Sequence, residues 1–346
     1  MPGSPPNEPG RDAPRGTTHV IVLDGTLSSL HPADRTNAGR AYKLLSENGG
    51  LLSLYYEPGL QWASWRSIWA VITGRGINRQ IQRAYGWLAA RYRPGDRIFL
   101  LGYSRGAYAV RSLAGVMHLV GLLRPDHANR ATVQLAYDHY RTDPGSAAAR
   151  AFSAAHCHQS VEIDTIAVWD TVKSLGFNAP VLWRLSERTH GFHNHDLGPD
   201  VLKAYHALAH DETRVAYAPV LWSTSEEDEG RVSQVWFPGT HGDVGGHLGG
   251  FEAARPLANI PLVWMLDKLE RRGLPLPDGW RARFALDATA PSLGTFRGLG
   301  KLLITRRRRR IGLDPSERLH ESLPARARAL GTGLDAHAGP HVEVTS

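Results

Sequence analysis

Arg97-Ile98-Phe99-Leu100-Leu101-Gly102-Tyr103-Ser104-Arg105-Gly106-Ala107 is the stretch on which the reading of the fold turns. Arg97 to Leu101 has the apolar character of a short buried strand. It runs without interruption into Gly-x-Ser-x-Gly. A serine in that pattern sits at a sharp strand-to-helix turn with a strained backbone. Small residues two before and two after it let strand and helix approach closely. Ala107 to Val120 then reads as an apolar helix that stops at Gly121. This placement predicts Ser104 as a nucleophile. The alternative on the same residues is a glycine-rich phosphate-binding turn.

Working outward, Thr18 to Leu23 is an apolar, β-branched run that ends at Asp24-Gly25-Thr26, and Leu51 to Tyr56 is a second, closed by Pro58-Gly59. Both read as buried parallel strands. Ile77, Ile81, Ala84, Leu88 and Tyr92 recur at helical spacing, and Pro94-Gly95-Asp96 marks a turn. Ile163 to Trp169 is a further strand ending at Asp170. Gln234 to Phe237 is another, ending in the Gly-rich run Pro238 to Gly246. Helices are expected over Asp200 to Asp211 and over Pro261 to Arg272. Strands that alternate with helices predict an open, mostly parallel α/β sheet with helices on both faces. The expected organisation is a disordered tail over 1–16 and one domain over 17–325. Within that domain lies a helical insertion at 177–229, placed to act as a cap, and 326–346 reads as a frayed C-terminal tail.

Composition narrows the class. The chain has 346 residues, 42% of them hydrophobic, enough for one large core. Its single cysteine, Cys157, excludes an internal disulfide framework and any Cys-rich metal site. Met1 to Gly16 lacks an apolar h-region, and no run approaches 18 apolar residues, so neither a signal peptide nor a membrane-spanning helix is expected. The default location is therefore cytoplasmic, with export by a route that needs no signal peptide left open. Net charge is +7, and five positive charges sit together at Arg306, Arg307, Arg308, Arg309 and Arg310. Without them the balance falls to about +2. The run reads as a solvated basic patch suited to anionic lipid headgroups, and no specific nucleic-acid partner is expected.

In parallel α/β sheets, reactive groups lie beyond the carboxyl ends of the strands. Asp24, Ser104, Asp170 and His241 each follow a strand end. Histidine has the pKa to take and return a serine proton. Among 17 histidines, His241 lies in a Gly-rich loop after a strand and follows Ser104 and Asp170 in sequence. That gives the Ser, Asp, His order of α/β-hydrolases. His206 and His210 fall on an expected helix, and His190, His193 and His195 show no regular metal-ligand spacing. Asp170 and Asp243 compete to orient the imidazole. Asp170 ends a strand and is favoured, while Asp243, two residues from His241, is suited to bonding the backbone of its own loop. Backbone amides of Gly25 or Thr26, and of Arg105, are candidates for an oxyanion hole. Asp24 with Asp243 would alternatively suit a divalent metal, but Val22 stands where such phosphohydrolases need a nucleophilic aspartate. No metal and no cofactor is expected.

Together these motifs resemble the uncharacterised α/β-hydrolase domain family numbered 2235, which includes the phospholipase effectors of bacterial type VI secretion. The resemblance covers Ile21 to about Trp264. It rests on Leu-Asp-Gly-Thr at 23–26, Tyr-Tyr-Glu-Pro-Gly at 55–59 and Gly-Tyr-Ser-Arg-Gly-Ala at 102–107. It continues with Val-Trp-Asp-Thr-Val at 168–172, His-Ala-Leu-Ala-His-Asp-Glu at 206–212 and Trp-Phe-Pro-Gly-Thr-His-Gly-Asp-Val-Gly-Gly at 236–246. It implies a triad of Ser104, Asp170 and His241, and lipolytic hydrolysis of acyl esters. The family's first motif usually continues Asp-Gly-Thr-x-Asn, and here Ser28 stands in the asparagine's place. The rival readings are a soluble esterase or thioesterase on small acyl substrates, and an idle hydrolase fold that binds an acidic partner through Arg306–Arg310.

Overall fold

The computed structural model describes residues 16–59, 75–172, 196–296, 305–332 and 342–345. Its framework is one sheet of eight strands: β1 (Thr18–Leu23), β2 (Leu52–Glu57), β3 (Arg97–Tyr103), β4 (Ile163–Trp169), β5 (Val201–Ala209), β6 (Val232–Phe237), β7 (Glu317–His320) and β8 (Val344–Thr345). The order across it is β2-β1-β3-β4-β5-β6-β7-β8, and every pairing is parallel. Successive side chains of a strand point to opposite faces, and the core divides accordingly. Ile21, Leu23, Ile98, Leu100, Ile166 and Val168 enter one cluster; Val20, Val22, Phe99, Leu101, Ala167 and Trp169 enter the other.

Helices cover both faces, as the alternation of elements requires. On the first lie α2 (Arg75–Ala89), α3 (Arg105–Leu119), α4 (Arg130–Thr142) and α5 (Ala147–His156). On the second lie α1 (Asn37–Ser46), α6 (His241–Gly245) and α7 (Arg255–Arg271). Helix α8 (Ser322–Leu330) packs beside β6 and β7. The chain leaves β1 toward β2 and then crosses back past β1 to β3. Strand order therefore reverses at β1, and the crevice beyond the carboxyl ends of β1 and β3 is where such sheets place ligands.

Several expectations are corrected. Val201–Ala209, expected as a helix, is strand β5, hydrogen-bonded between β4 and β6. Its Ala, Leu and Lys residues favour helix weakly, and the open slot between two strands outweighs that preference. Val201–Ala209 of the expected insertion is thus part of the sheet; 177–195, with His190, His193 and His195, lies outside the described residues. Helix α7 starts six residues before Pro261 and runs through it. The proline forfeits one backbone bond, but Leu257, Ile260, Leu262, Met265, Leu266 and Leu269 are buried along the helix. Part of the stretch expected to fray is ordered: α8 extends to Leu330, and Val344–Thr345 pairs with β7. Residues 1–15 of the expected N-terminal tail lie outside the described residues. Among the described residues no helix is long and apolar enough to cross a membrane.

One contact governs how closely α3 lies against β1. A β-carbon on Gly106 would stand 2.1 Å from the Leu23 carbonyl oxygen, and one on Gly102 would stand 2.7 Å from the Gly106 oxygen. Backbone cannot yield there as a flexible side chain would. Gly106→Ala is expected to lower stability by about 1–3 kcal/mol, measured by chemical denaturation. Gly50→Ala is the control: a β-carbon there meets nothing within 4 Å, and its change should stay within about 0.5 kcal/mol.

Candidate active site

Register delivers the key side chains to one edge of the sheet. Leu23 pairs with Gly102, Tyr103 with Trp169, and Trp169 with Ala207. Ser104 and Asp170 therefore leave adjacent strands at the same level. Both bend sharply: Ser104 has φ 57° and Asp170 φ 41°, left-handed conformations uncommon for residues with a β-carbon. The Ser104 turn is held by its own N–H, which donates to the Trp169 carbonyl at 3.0 Å. Asp170 N–H donates to Ala207 O at 2.8 Å, and the next amide, Thr171 N–H, donates to His206 Nε2 at 3.1 Å. His206, expected on a helix, is thus a buried strand residue that fixes the Asp170 turn. Burial pushes its imidazole down to about 3, with the Arg111 charge adding to the shift. It stays neutral and accepts that bond.

His241 opens α6 and meets both partners. Its Nε2 lies 2.9 Å from Ser104 Oγ and its Nδ1 lies 2.6 Å from Asp170 Oδ2. Burial alone would raise the Asp170 carboxyl, but the Arg309 guanidinium, the His241 hydrogen bond and the Arg309 hydrogen bonds hold it well below the usual carboxylate range. An ionised Asp170 can only accept, so Nδ1 carries the imidazole hydrogen and Nε2 is left to accept from the serine hydroxyl. The ring is sandwiched between Tyr103, centroids 4.9 Å apart, and Tyr217, centroids 4.7 Å apart. Its backbone N–H donates to Glu212 Oε2 at 3.2 Å. Glu212 also accepts from Arg214, whose guanidinium lies 4.2 Å from the Tyr217 ring centre.

Asp243 takes the role its position suggested. It accepts from Thr240 N–H at 2.7 Å, from Thr240 Oγ1 at 2.8 Å, from Ser292 Oγ at 2.6 Å and from Leu293 N–H at 2.7 Å. It braces the loop that carries His241, whereas the imidazole Nδ1 meets Asp170. Asp24 lies at the exit of β1, fully buried. It accepts from Gly25 N–H at 2.7 Å, Thr36 Oγ1 at 2.8 Å and Tyr56 OH at 2.8 Å. Of the two candidate donors in that loop, Gly25 is therefore already engaged. Ser28, in the asparagine's place, donates its hydroxyl to Gly25 O and pins the same turn. Arg105 is the first residue of α3, and the first amides of a helix have no intrahelical acceptor. No group of His, Cys, Asp and Glu among the described residues could hold a metal ion.

The residue that sequence reasoning missed is Arg309. The run Arg306–Arg310 is not a uniform solvated patch: Arg307, Arg308 and Arg310 are exposed, whereas Arg309 is buried and turned onto Asp170. Its Nη1 donates to Asp170 Oδ1 at 2.5 Å and its Nη2 to Oδ2 at 2.9 Å. Nothing in five consecutive arginines distinguishes one as inward, so composition carried no signal for it.

The geometry is that of an α/β-hydrolase domain. Residues 17–268 match the family described as the T6SS phospholipase effector Tle1-like catalytic domain, and the chain belongs to that family. Among curated proteins, the uncharacterized protein YEL023C of Saccharomyces cerevisiae is 31% identical over 132 residues, which covers 33% of this chain and 19% of that protein. Among solved structures, an uncharacterized protein from Pseudomonas aeruginosa has TM-score 0.46 and 14% identity, covering 80% of this chain and 52% of that one. The Tle1 effector bound to the VgrG spike of the type VI secretion system has TM-score 0.33 and 18% identity, covering 67% and 51%. The chain thus spans about half of each solved relative and about a fifth of the yeast protein.

Asp24 generates a pH prediction. Burial raises its carboxyl to about 6, against opposing hydrogen bonds from Thr36, the Gly25 amide, Tyr56 and Ser28. A folded-state value above the unfolded one contributes stability below the unfolded value, and that contribution is lost as pH rises through about 6. The full loss is about 3 kcal/mol. Denaturation at pH 4 and pH 7.5 should show this component in the wild type and not in Asp24→Asn. Equal pH slopes for the two proteins would refute the assignment.

Proposed function

We propose that this chain is a serine hydrolase of phospholipid carboxylic esters, with Ser104, His241 and Asp170 as its triad. The observation that carries the reading is the continuous Ser104–His241–Asp170 alignment at 2.9 and 2.6 Å on a left-handed nucleophile turn. Membership of a phospholipase effector catalytic family supports a phospholipid substrate. Export as a type VI effector is part of the same reading.

Ser104 Oγ attacks the acyl carbonyl carbon while His241 Nε2 takes its proton. The resulting oxyanion is met by the N–H of Arg105 and, with Gly25 engaged by Asp24, by the N–H of Thr26. The tetrahedral intermediate collapses, the bond to the leaving alcohol breaks, and the imidazolium returns its proton to the departing oxygen. Water then repeats the sequence on the acyl-serine and releases the fatty acid. Asp170 holds the imidazole tautomer throughout and stabilises the imidazolium. No cofactor takes part in these steps. The exposed Arg307, Arg308 and Arg310 sit on the segment that supplies Arg309, and they suit an anionic bilayer beside the site.

Phospholipid vesicles and short p-nitrophenyl esters should both be hydrolysed. Ser104→Ala should lose turnover by several orders of magnitude, and Asp170→Asn by about three to four powers of ten, with a lowered melting temperature as well because the buried Arg309 guanidinium loses its counter-charge. Asp243→Asn should act through stability instead, since it weakens the bracing of one loop. If Asp243→Asn is inactive at normal stability while Asp170→Asn is active, the two carboxylate roles are reversed.

The membrane component is tested separately. Replacing Arg307 and Arg310 together by serine should weaken association with anionic vesicles by about 1 kcal/mol per arginine, with short-ester turnover unchanged. A wild-type protein that cleaves short esters and ignores vesicles of every composition would favour the soluble esterase.

A further inference from the structure

The Asp170 carboxylate is held from every side. Oδ1 accepts from Ala209 N–H at 3.0 Å and from Arg309 Nη1, while Oδ2 accepts from Arg309 Nη2 and faces His241 Nδ1. The second hydrogens of the two Nη atoms go to backbone: Nη1 donates to Ala209 O at 2.8 Å and Nη2 to Tyr217 O at 2.6 Å, while the buried Nε makes no hydrogen bond. Arg309 and Asp170 are both buried, with side-chain exposures of 4% and 0%. The strand-like segment that delivers Arg309 is tied down just upstream. Val215 N–H donates to Thr305 O at 3.1 Å and Arg307 N–H to Thr213 O at 2.7 Å. Arg309 therefore joins Asp170 to the end of β5 and to Tyr217, whose ring stacks on His241.

We propose that Arg309 is a positioning residue of the reaction: its fork sets the plane of the Asp170 carboxylate and balances its charge, so that one lone pair alone is directed at His241. This rests on the triad reading above. A planar guanidinium matches a carboxylate with two parallel bonds, which fixes rotation as well as distance; an ammonium makes a point contact and fixes only distance. Charge balance has a second consequence. Asp170 favours an imidazolium beside it, and the guanidinium on its far side opposes that preference. Without Arg309 the whole carboxylate charge acts on the imidazole, and the reactive neutral base persists over a narrower range at low pH.

The other groups around His241 are Ser104 at Nε2, the stacked Tyr103 and Tyr217, Glu212 at its backbone N–H, Arg214 paired with Glu212, and His247, whose imidazole pKa is held below its ordinary value by burial. None is altered in the comparison that follows.

The experiment is the rate of labelling of the full chain by a fluorophosphonate probe across pH 4.5–8.5, with melting temperatures in parallel. It needs no knowledge of the substrate. Wild type should label, and Ser104→Ala should not. In Arg309→Gln, labelling should slow at least tenfold, and the acid limb of the profile should move up by about one pH unit. Arg309→Lys should restore the acid limb toward the wild-type position, because the charge returns, but only part of the rate, because the fork does not. If Arg309→Gln does not fold, Arg309→Lys carries the test: a wild-type rate in that variant overturns the requirement for the fork. A folded Arg309→Gln that labels at the wild-type rate overturns the proposal alone. So does a slowed rate with an unmoved acid limb, which marks a merely structural role. Absence of Ser104-dependent labelling in the wild type removes the triad reading, and this proposal with it.

Discussion

Three segments meet at the carboxyl edge of the sheet with no room for a further β-carbon at the glycines between them. Gly106 lies against the Leu23 carbonyl. A β-carbon on Gly59 would stand 1.5 Å from Gly25 O, and one on Gly245 would stand 1.9 Å from the Tyr103 ring. These contacts press the β1 exit loop, the Ser104 turn and the His241 helix into one cluster. Close-packed interiors transmit such constraints, because no void takes up a displacement. The hydrogen-bonding distances from Ser104 to His241 and on to Asp170 depend on that closeness, since Ser104 lies 137 residues from His241 and Asp170 lies 71 from it.

Two buried carboxylates flank the cluster and illustrate what burial does with and without a cation. Burial works against the charged form of both. Asp170 faces the Arg309 guanidinium and stays ionised. Asp24 is surrounded by neutral hydroxyl and amide donors, which soften the effect of burial without cancelling it, and its carboxyl rises to about 6. The contrast suits their neighbours. A charged Asp170 selects the imidazole tautomer with its lone pair toward Ser104. Asp24, linked to α1 through Thr36 and to β2 through Tyr56, ties the first loop to the elements on either side of it.

The imidazole is confined in its remaining directions by aromatic faces. Tyr103 ends β3 and Tyr217 belongs to the segment whose carbonyl Arg309 holds. Stacked rings restrict rotation of the imidazole and exclude water from its faces, while leaving its edge open toward Ser104. A site so arranged holds its polar groups in place by packing and hydrogen bonds, the condition under which such groups stabilise developing charge without reorganising.

Ser104, Asp170 and His241 were legible in the sequence because each follows a short apolar strand, and local periodicity marks strand ends. Ser104 carried the further signal of two glycines that a sharp turn requires. The parallel sheet with helices on both faces was legible for the same reason, in the alternation of apolar runs with helical spacing. Val201–Ala209 was not: its local preference leans to helix, and only the slot between β4 and β6 makes it a strand. Helix α7 likewise runs through Pro261 because burial along its length outweighs a local rule. Arg309 was the least legible of all. Identical neighbours have identical propensities and charges, so no pattern within the run separates the buried one from the exposed. That choice is made by the antiparallel tie to 213–215 and by the buried Asp170 carboxylate beneath it, both long-range contacts that exist only in the folded chain.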